Sequence, residues 1–386
     1  MDAPFEFATA TRIVFGVGVF QQAGRLASEL GRRALLVCGQ SPDAARPLEA
    51  LLEAAGVSTV LFLAGGEPSL ELIEQGIDLA RREACDLVIG FGGGSAIDTG
   101  KALAALLANP GPVLDYLEVV GRGRPLQADP RPYIAIPTTA GTGAEVTRNA
   151  VIGVPSERVK VSLRSPRMLP RLALVDPQLT VTLPPAVTAA TGMDALTQLI
   201  EPYVCAVPNP LVDALCKEGL PRIARSLRRA CQDGADLAAR QDMSLAALFG
   251  GLALANARLG AVHGFAGVLG GMYPAPHGAI CARLLPGVTA ANLDALQQRA
   301  PDHPALRRYG ELAELLTDAP PDQPGRLVDW LSGLVEDLHI PRLARYGVQP
   351  GDFAEIVEKS ARASSMQGNP LRLSPEELTA ILAGAL

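Results

Sequence analysis

Asp194 and Gln198 stand one helical turn apart in the tract GMDALTQLIEP, and His263 and His277 close the tract HGFAGVLGGMYPAPH. The chain has four histidines, so half of them bracket one short segment. Residues i and i+4 of a helix share a face, with Cβ atoms about 5–6 Å apart, so Asp194 and Gln198 can address one point. Pro274 and Pro276 forbid an unbroken helix from His263 to His277; these two come from a helix and the start of the next one. A carboxylate with two imidazoles suffices to hold Zn²⁺ or Fe²⁺ and leave a position open. Gln198 stands where a third histidine would be expected. Its carbonyl can add a neutral, weaker oxygen donor or hydrogen-bond a metal-bound water. A lone histidine is more often a packed core residue, and His303 and His339, in polar or loop-like tracts, are read that way.

Far upstream, FGGGSAID (residues 91–98) follows a β-like run and opens a helical one. Glycines let a backbone approach a phosphate closely, and a helix N-terminus offers free N–H groups and a positive dipole end. Gly93, Gly94, Ser95 and Asp98 are the candidate cofactor-binding residues here. Ser95 and Asp98 also spell a capping box, a purely local use. Gly100-Lys101 tempts toward a nucleotide-triphosphatase loop, but Ser95 stands where that motif needs glycine and Ala102 where it needs Ser or Thr. The dinucleotide pattern G-x-G-x-x-G fails as well, at Ile97. A second loop, PTTAGTGAE (residues 137–145), also follows a β-like run and precedes a helix, with Thr142 and Glu145 as another capping box. Its hydroxyls suit ribose or carboxamide contacts. A phosphate loop paired with a metal constellation suggests a metal-assisted dehydrogenase.

The elements that must carry these residues divide the chain in two. Residues 34–38, 59–63, 87–91, 133–136 and 172–175 are continuous apolar runs, and helical stretches at 47–55, 70–83 and 96–107 lie between several of them. Such alternation predicts a parallel sheet covered on both faces, with ligands at its carboxyl edge. From Thr182 on no run reads as a strand, and Ala/Leu-rich segments follow at 211–231, 235–257, 277–285, 310–316 and 327–338. The expected organisation is an α/β dinucleotide-binding domain over residues 1–181 and an all-helical metal and substrate domain over 182–386. Residues 318–324, rich in Pro and Asp, form a surface loop within the second.

Composition sets the outer bounds. Two domains suit 386 residues. Apolar residues at 48% and charged residues at 19% describe a packed chain, not a disordered one. A net charge of −6 offers no basic face for nucleic acid, and the arginines of residues 222–229 are read as a solvated helix face. The acidic opening MDAPFEF lacks a secretory n-region, and every apolar run is cut short of a membrane span, which leads us to expect a cytoplasmic protein. Six cysteines without a C-x-x-C pair are read as buried reduced thiols.

Taken together, GGGSAIDTGK, IPTTAGTGAEVT, GMDALTQLIEPYV and HGFAGVLGGMYPAPHG resemble, in order and spacing, the iron-containing (group III) alcohol dehydrogenases over almost the whole chain. The resemblance implies a nucleotide-binding α/β domain, a helical domain and a cleft between them. It also implies homodimers or larger homo-oligomers, and oxidation of alcohols or reduction of aldehydes with NAD(P) and a divalent metal, Fe²⁺ or Zn²⁺. Carried over by position, Gly93, Gly94 and Ser95 hold the pyrophosphate, and Thr138, Thr139 and Thr142 contact the ribose and its neighbours. Lys160 lies beside the nicotinamide ribose, and Asp194, His263 and His277 match metal ligands. Three departures stand out. Gln198 replaces a histidine of the metal-binding members, and Gly267 replaces a histidine that helps bind substrate or relay protons. Gly39 replaces an aspartate that NAD-preferring members set against the ribose, leaving room for a 2′-phosphate with Gln40 and Ser41 as donors, a lean toward NADP. Gly267, with Phe265 and Tyr273 nearby, suggests a roomy, less polar pocket. The rivals are a metal-free enzyme similar to maleylacetate reductases, a lyase similar to dehydroquinate synthase, and a lapsed homologue that only binds ligand.

Overall fold

A computed structural model describes residues 4–39, 41–157 and 159–386. Gln40, one of the expected 2′-phosphate donors, lies outside the described residues. The chain divides into two compact units, with the change at Val181/Thr182: an α/β unit (Ala8–Thr139 and Gly143–Val181) and a helical unit (Thr182–Leu386) that also takes in residues 4–7 and Ala140–Thr142.

The α/β unit contains, in order, β1 (Ile13–Phe15), α1 (Ala23–Ser28), β2 (Arg33–Cys38), α2 (Pro42–Ala54), β3 (Ser58–Leu63), α3 (Leu70–Arg82), β4 (Leu87–Gly92), α4 (Gly94–Ala108), β5 (Tyr133–Pro137), β6 (Asn149–Val154), β7 (Val159–Arg164) and β8 (Leu172–Val175). Six strands form a sheet in the order β1-β8-β5-β4-β2-β3, and every pairing is parallel. The continuous apolar runs are explained by two cores, one on each face. Leu35 and Val37 of β2 enter one; Ala34, Leu36 and Cys38 enter the other. The five expected strands are all present. Ile13–Phe15, an edge strand of three residues, carried no periodic signal. The antiparallel pair β6–β7 was also unread, because its alternating burial leaves polar residues on one side.

The helical unit contains α5 (Pro185–Val204), α6 (Pro210–Gln232), α7 (Leu237–Asn256), α8 (Ala261–Met272), α9 (His277–Arg299), α10 (Pro304–Thr317), α11 (Gly325–Asp337), α12 (Phe353–Ala361) and α13 (Pro375–Ala385). No strand occurs among its described residues. Helix α9 runs a further fourteen residues past Leu285, where the sequence reading ended it, straight through Pro286. A proline costs a helix one hydrogen bond, but α9 packs on α5, α8, α11 and α13, and burial overrides that local cost. Residues 318–324 do form a largely exposed loop between α10 and α11. Among the described residues no single helix is long and apolar enough to cross a membrane.

The arginines of residues 222–229 are not merely solvated. Arg222 and Arg225 both pair with Asp242, Arg228 with Asp337 and Arg229 with Asp236, which ties α6 to its neighbours.

Candidate active site

In the α/β unit the candidate cofactor residues gather where strand order reverses. β2 lies between β3 and β4, so the chain leaves β2 toward one side and β4 toward the other, the point at which ligands of such sheets bind. The loops after β2 and β4 meet there. Gly92 has φ +152°, and a Cβ on it would lie 2.9 Å from Ala96 Cβ and 3.8 Å from the amide of Gly39. Gly93 caps α4 and faces the Thr139 side chain, at 3.3 Å from a notional Cβ, and the Thr138 amide donates to the Gly92 carbonyl at 2.9 Å. Gly39, Gly92–Ser95 and Thr138–Thr139 thus share one edge. A Cβ on Gly39 would meet nothing within 4 Å.

Other expectations for this loop change. Helix α4 begins at Gly94 with no side-chain cap, so Ser95 and Asp98 do not form a capping box. Asp98 instead accepts from the Val151 amide at 2.9 Å and pairs with Lys101 at 3.5 Å. The loop at residues 137–145 leads into a single 3₁₀ turn, Ala144–Val146, capped by Gly143 in the left-handed conformation; Thr142 and Glu145 form no capping box either. Lys160 sits on β7 and pairs with Glu67 at 2.9 Å. Lys101 is fully buried and donates to the carbonyls of Ala144 and Asn149 and to Thr147 Oγ1 at 2.7–2.8 Å. A lysine so engaged braces α4 against the next loop, in keeping with rejection of the triphosphatase motif.

In the helical unit, Asp194 and Gln198 lie buried on one face of α5, His263 in the first turn of α8, and His277 opens α9 after Pro276. Close helix approach brings them together, since a Cβ on Gly278 would lie 2.1 Å from the Ala190 carbonyl oxygen of α5. Asp194 Oδ1 is 3.6 Å from His263 Nε2 and 3.8 Å from His277 Nε2, and the two rings are 5.5 Å apart. These separations are too long for hydrogen bonds. Asp194 Oδ1, His263 Nε2 and Gln198 Oε1 are all buried without a partner. Unpartnered polar atoms gathered in one place are costly, and a cation among them removes the cost. The donor set therefore fits a divalent ion.

Two residues beyond the expected set belong to this cluster. Glu201, at i+7 from Asp194, receives the amide of Val262 at 2.7 Å and holds His263 Nδ1 at 2.6 Å. It fixes the ring tautomer, leaving Nε2 as the donor atom. Cys281, one turn after His277, has its sulfur 3.6 Å from His277 Nε2, and its ligand atom lies within 4.8 Å of those of Asp194, His263 and His277. Both were legible as helical spacings, 194/198/201 and 277/281, but a carboxylate among apolar residues and a cysteine among six attract no notice.

The charges explain the titration of these groups. Burial pushes the Asp194 carboxyl up, but His277, His263 and the Gln198 amide outweigh it and hold it below its ordinary range. Burial likewise opposes charge on His263, yet Asp194 and Glu201 prevail and raise it to about 9. Burial, then the nearby carboxylates, push the Cys281 thiol well up.

Of the remaining expectations, Phe265 lies fully buried in the helical core. Tyr273 is half-buried, while Gly267 is exposed and a Cβ there would meet nothing within 4 Å. Thr142 belongs to the short segment that packs with the helical unit, beside Gly141, whose notional Cβ would touch Thr191. His303 caps α10 through the Ala305 amide.

Comparison with known proteins places this architecture. The model of the iron-containing alcohol dehydrogenases matches residues 10–177, and that of the C-terminal part of the Fe-containing alcohol dehydrogenase family matches residues 188–386. The chain is 34% identical over 392 residues to the 1,3-propanediol dehydrogenase of Klebsiella pneumoniae, covering 98% of this chain and 97% of that one. It is 33% identical to the choline dehydrogenase of Bacillus subtilis, over 95% and 92% of the two chains. A crystal structure of a 1,3-propanediol oxidoreductase superposes with a TM-score of 0.92, at 32% identity and full coverage of both chains. The chain belongs to the iron-containing alcohol dehydrogenase family, oxidoreductases that act on CH–OH groups with NAD(P) and a divalent metal.

Proposed function

We propose that this protein oxidises small-molecule alcohols and reduces the corresponding aldehydes, with the metal held by Asp194, His263 and His277 and NAD(P) laid along Gly39, Gly93–Ser95 and Thr138–Thr139. The observation that carries the metal assignment is the convergence of the unpartnered buried atoms of Asp194 and His263 with the ligand atom of His277. When bound, the ion supplies Lewis acidity toward an alcohol or carbonyl oxygen, and the nicotinamide supplies or accepts the hydride. Asp194 contributes negative charge, and Glu201, bound to Nδ1, aims His263 Nε2 at the site, where a bound ion would take the place of its proton. Gly93 and Gly94 open α4 to a pyrophosphate. Gly267 carries no side chain to relay a proton, so the proton leaves through water or a ribose hydroxyl. Lys160 and Thr142 complete the proposed cofactor contacts, and Asp98, expected among them, is held instead by Lys101 and the Val151 amide. The setting we infer is cytoplasmic and homo-oligomeric, without nucleic-acid or membrane partners.

The test is a panel of aldehydes and ketones with NADH and NADPH, using chelator-stripped protein before and after Fe²⁺ or Zn²⁺ is restored. Turnover that requires the ion supports the reading; full turnover by stripped protein replaces it with a metal-free reductase. Gly39→Asp, which has open space to occupy, should shift preference toward NADH by repelling a 2′-phosphate. An unchanged NADPH/NADH ratio would place the adenosine ribose elsewhere.

A further inference from the structure

We infer that Cys281, not Gln198, supplies the fourth protein donor, so that the centre is Asp194–His263–His277–Cys281 and its sulfur favours zinc over iron. The inference rests on the metal assignment above and adds which side chain completes it.

Three observations carry it. First, the candidate ligand atoms of these four residues all lie within 4.8 Å of one another. A tetrahedral centre with metal–sulfur bonds of about 2.3 Å and metal–nitrogen bonds of about 2.0 Å sets sulfur and nitrogen about 3.5 Å apart, and two lighter donors about 3.3 Å. Cys281 Sγ lies 3.6 Å from His277 Nε2, and Asp194 Oδ1 lies 3.6 Å from His263 Nε2 and 3.8 Å from His277 Nε2. Small inward shifts of side chains would bring these four donors around one ion, which would take a substrate oxygen as a fifth ligand. Second, His277 and Cys281 are an i,i+4 pair on α9, facing the i,i+4 pair Asp194 and Gln198 on α5. The sulfur and the imidazole are therefore presented together by one rigid helix. Third, the Gln198 carbonyl oxygen lies against α7, 3.2 Å from where a Cβ on Gly250 would stand, while the side chain helps hold the Asp194 carboxyl below its ordinary range. Gln198 is thus a positioning residue for Asp194.

Chemistry points the same way. Thiolate is a strong, soft donor that selects zinc over the harder metals, and an amide oxygen is weak for either. On binding, the thiol proton passes to solvent as the sulfur–metal bond forms, and no electron moves.

The experiment uses the full-length protein, stripped with chelator and titrated with Co²⁺ as a spectroscopic probe. The wild type should take up one Co²⁺ and develop an intense near-ultraviolet band from sulfur-to-cobalt charge transfer. Cys281→Ser should still take up Co²⁺ through the three remaining ligands, which also verifies its fold, but lose the band. Gln198→Ala should keep it. Competition between Zn²⁺ and Fe²⁺ should lose its zinc bias in Cys281→Ser. One bound Co²⁺ with no charge-transfer band, or a band that survives in Cys281→Ser, overturns the inference and leaves the metal reading intact. A wild type that takes up no metal overturns both.

Discussion

Each unit of this protein buries a charged cluster, and the two are finished differently. In the α/β unit Lys101 finds three short acceptors and Asp98, Asp98 finds the Val151 amide, and none of their polar atoms is left over. In the helical unit Asp194, Gln198 and His263 each leave a polar atom unanswered. Saturated networks rigidify a fold; an unsaturated one in a well-packed core marks a place for something the chain does not supply. The lesson is that burial and charge do not by themselves separate scaffold from site. The count of unmet partners does.

Substitutions should therefore cross over. Asp194→Ala removes the charged ligand, and we expect metal uptake to vanish and turnover to fall about 10³-fold or more, in line with several kcal/mol of lost Lewis-acid stabilisation. Thermal stability of the stripped protein should barely move. Lys101→Met should do the reverse, because it strands two carbonyls, Thr147 and the Asp98 carboxylate away from water. Breaking a buried pair typically costs about 3–5 kcal/mol, so the variant should melt far earlier, yet bind metal wherever it is folded. Calorimetry and metal analysis of both variants decide the matter, and a metal loss in Lys101→Met without a melting shift would break the distinction.

Glu201→Gln probes the border between the two kinds. Its carboxylate is structural toward the start of α8 and positional toward His263. Loss of such an outer partner commonly costs 10–100-fold in metal affinity or activity, and that range is expected here, alongside a modest drop in melting temperature. Wild-type affinity for Zn²⁺ in this variant would show that His263 needs no help to present Nε2.

How much of this the sequence announced depends on how each feature is encoded. The buried strands were plain because a two-faced parallel sheet makes continuous apolar runs, and Asp194, His263 and His277 were plain because their residue types are rare and their spacing restricted. Gly93 and Gly94 were plain as a strand-to-helix transition. The Ser95–Asp98 box was misread because the glycines let the helix start two residues earlier, freeing Asp98 to reach across to β6. The β6–β7 hairpin carrying Lys160 was missed because Asn149, Lys160, Ser162 and Arg164 interrupt its apolar runs. Glu201 and Cys281 stand at helical spacings from Asp194 and His277, but what they touch is decided by contacts between α5, α8 and α9.

The last test sharpens the comparison through pH. Glu145 is buried beside the Lys101 cluster, and burial, only partly offset by its own amide and Lys101, raises its carboxyl from an ordinary 4.5 to about 7. Below the ordinary value both folded and unfolded chains hold the proton, and the group has no effect on stability. Between that value and about 7 the folded chain keeps a proton that the unfolded chain has released, so stability falls as pH rises. At about 1.4 kcal/mol per unit, the whole window is worth at most about 3 kcal/mol. Glu145→Gln keeps the shape and cannot ionise, so its advantage over wild type should grow from pH 5 to pH 8. Melting curves of both proteins, stripped of metal so that the other cluster stays constant, measure that difference. A gap between wild type and variant that does not change with pH would show that Glu145 stays ionised within the fold, with Lys101 outweighing the cost of its burial.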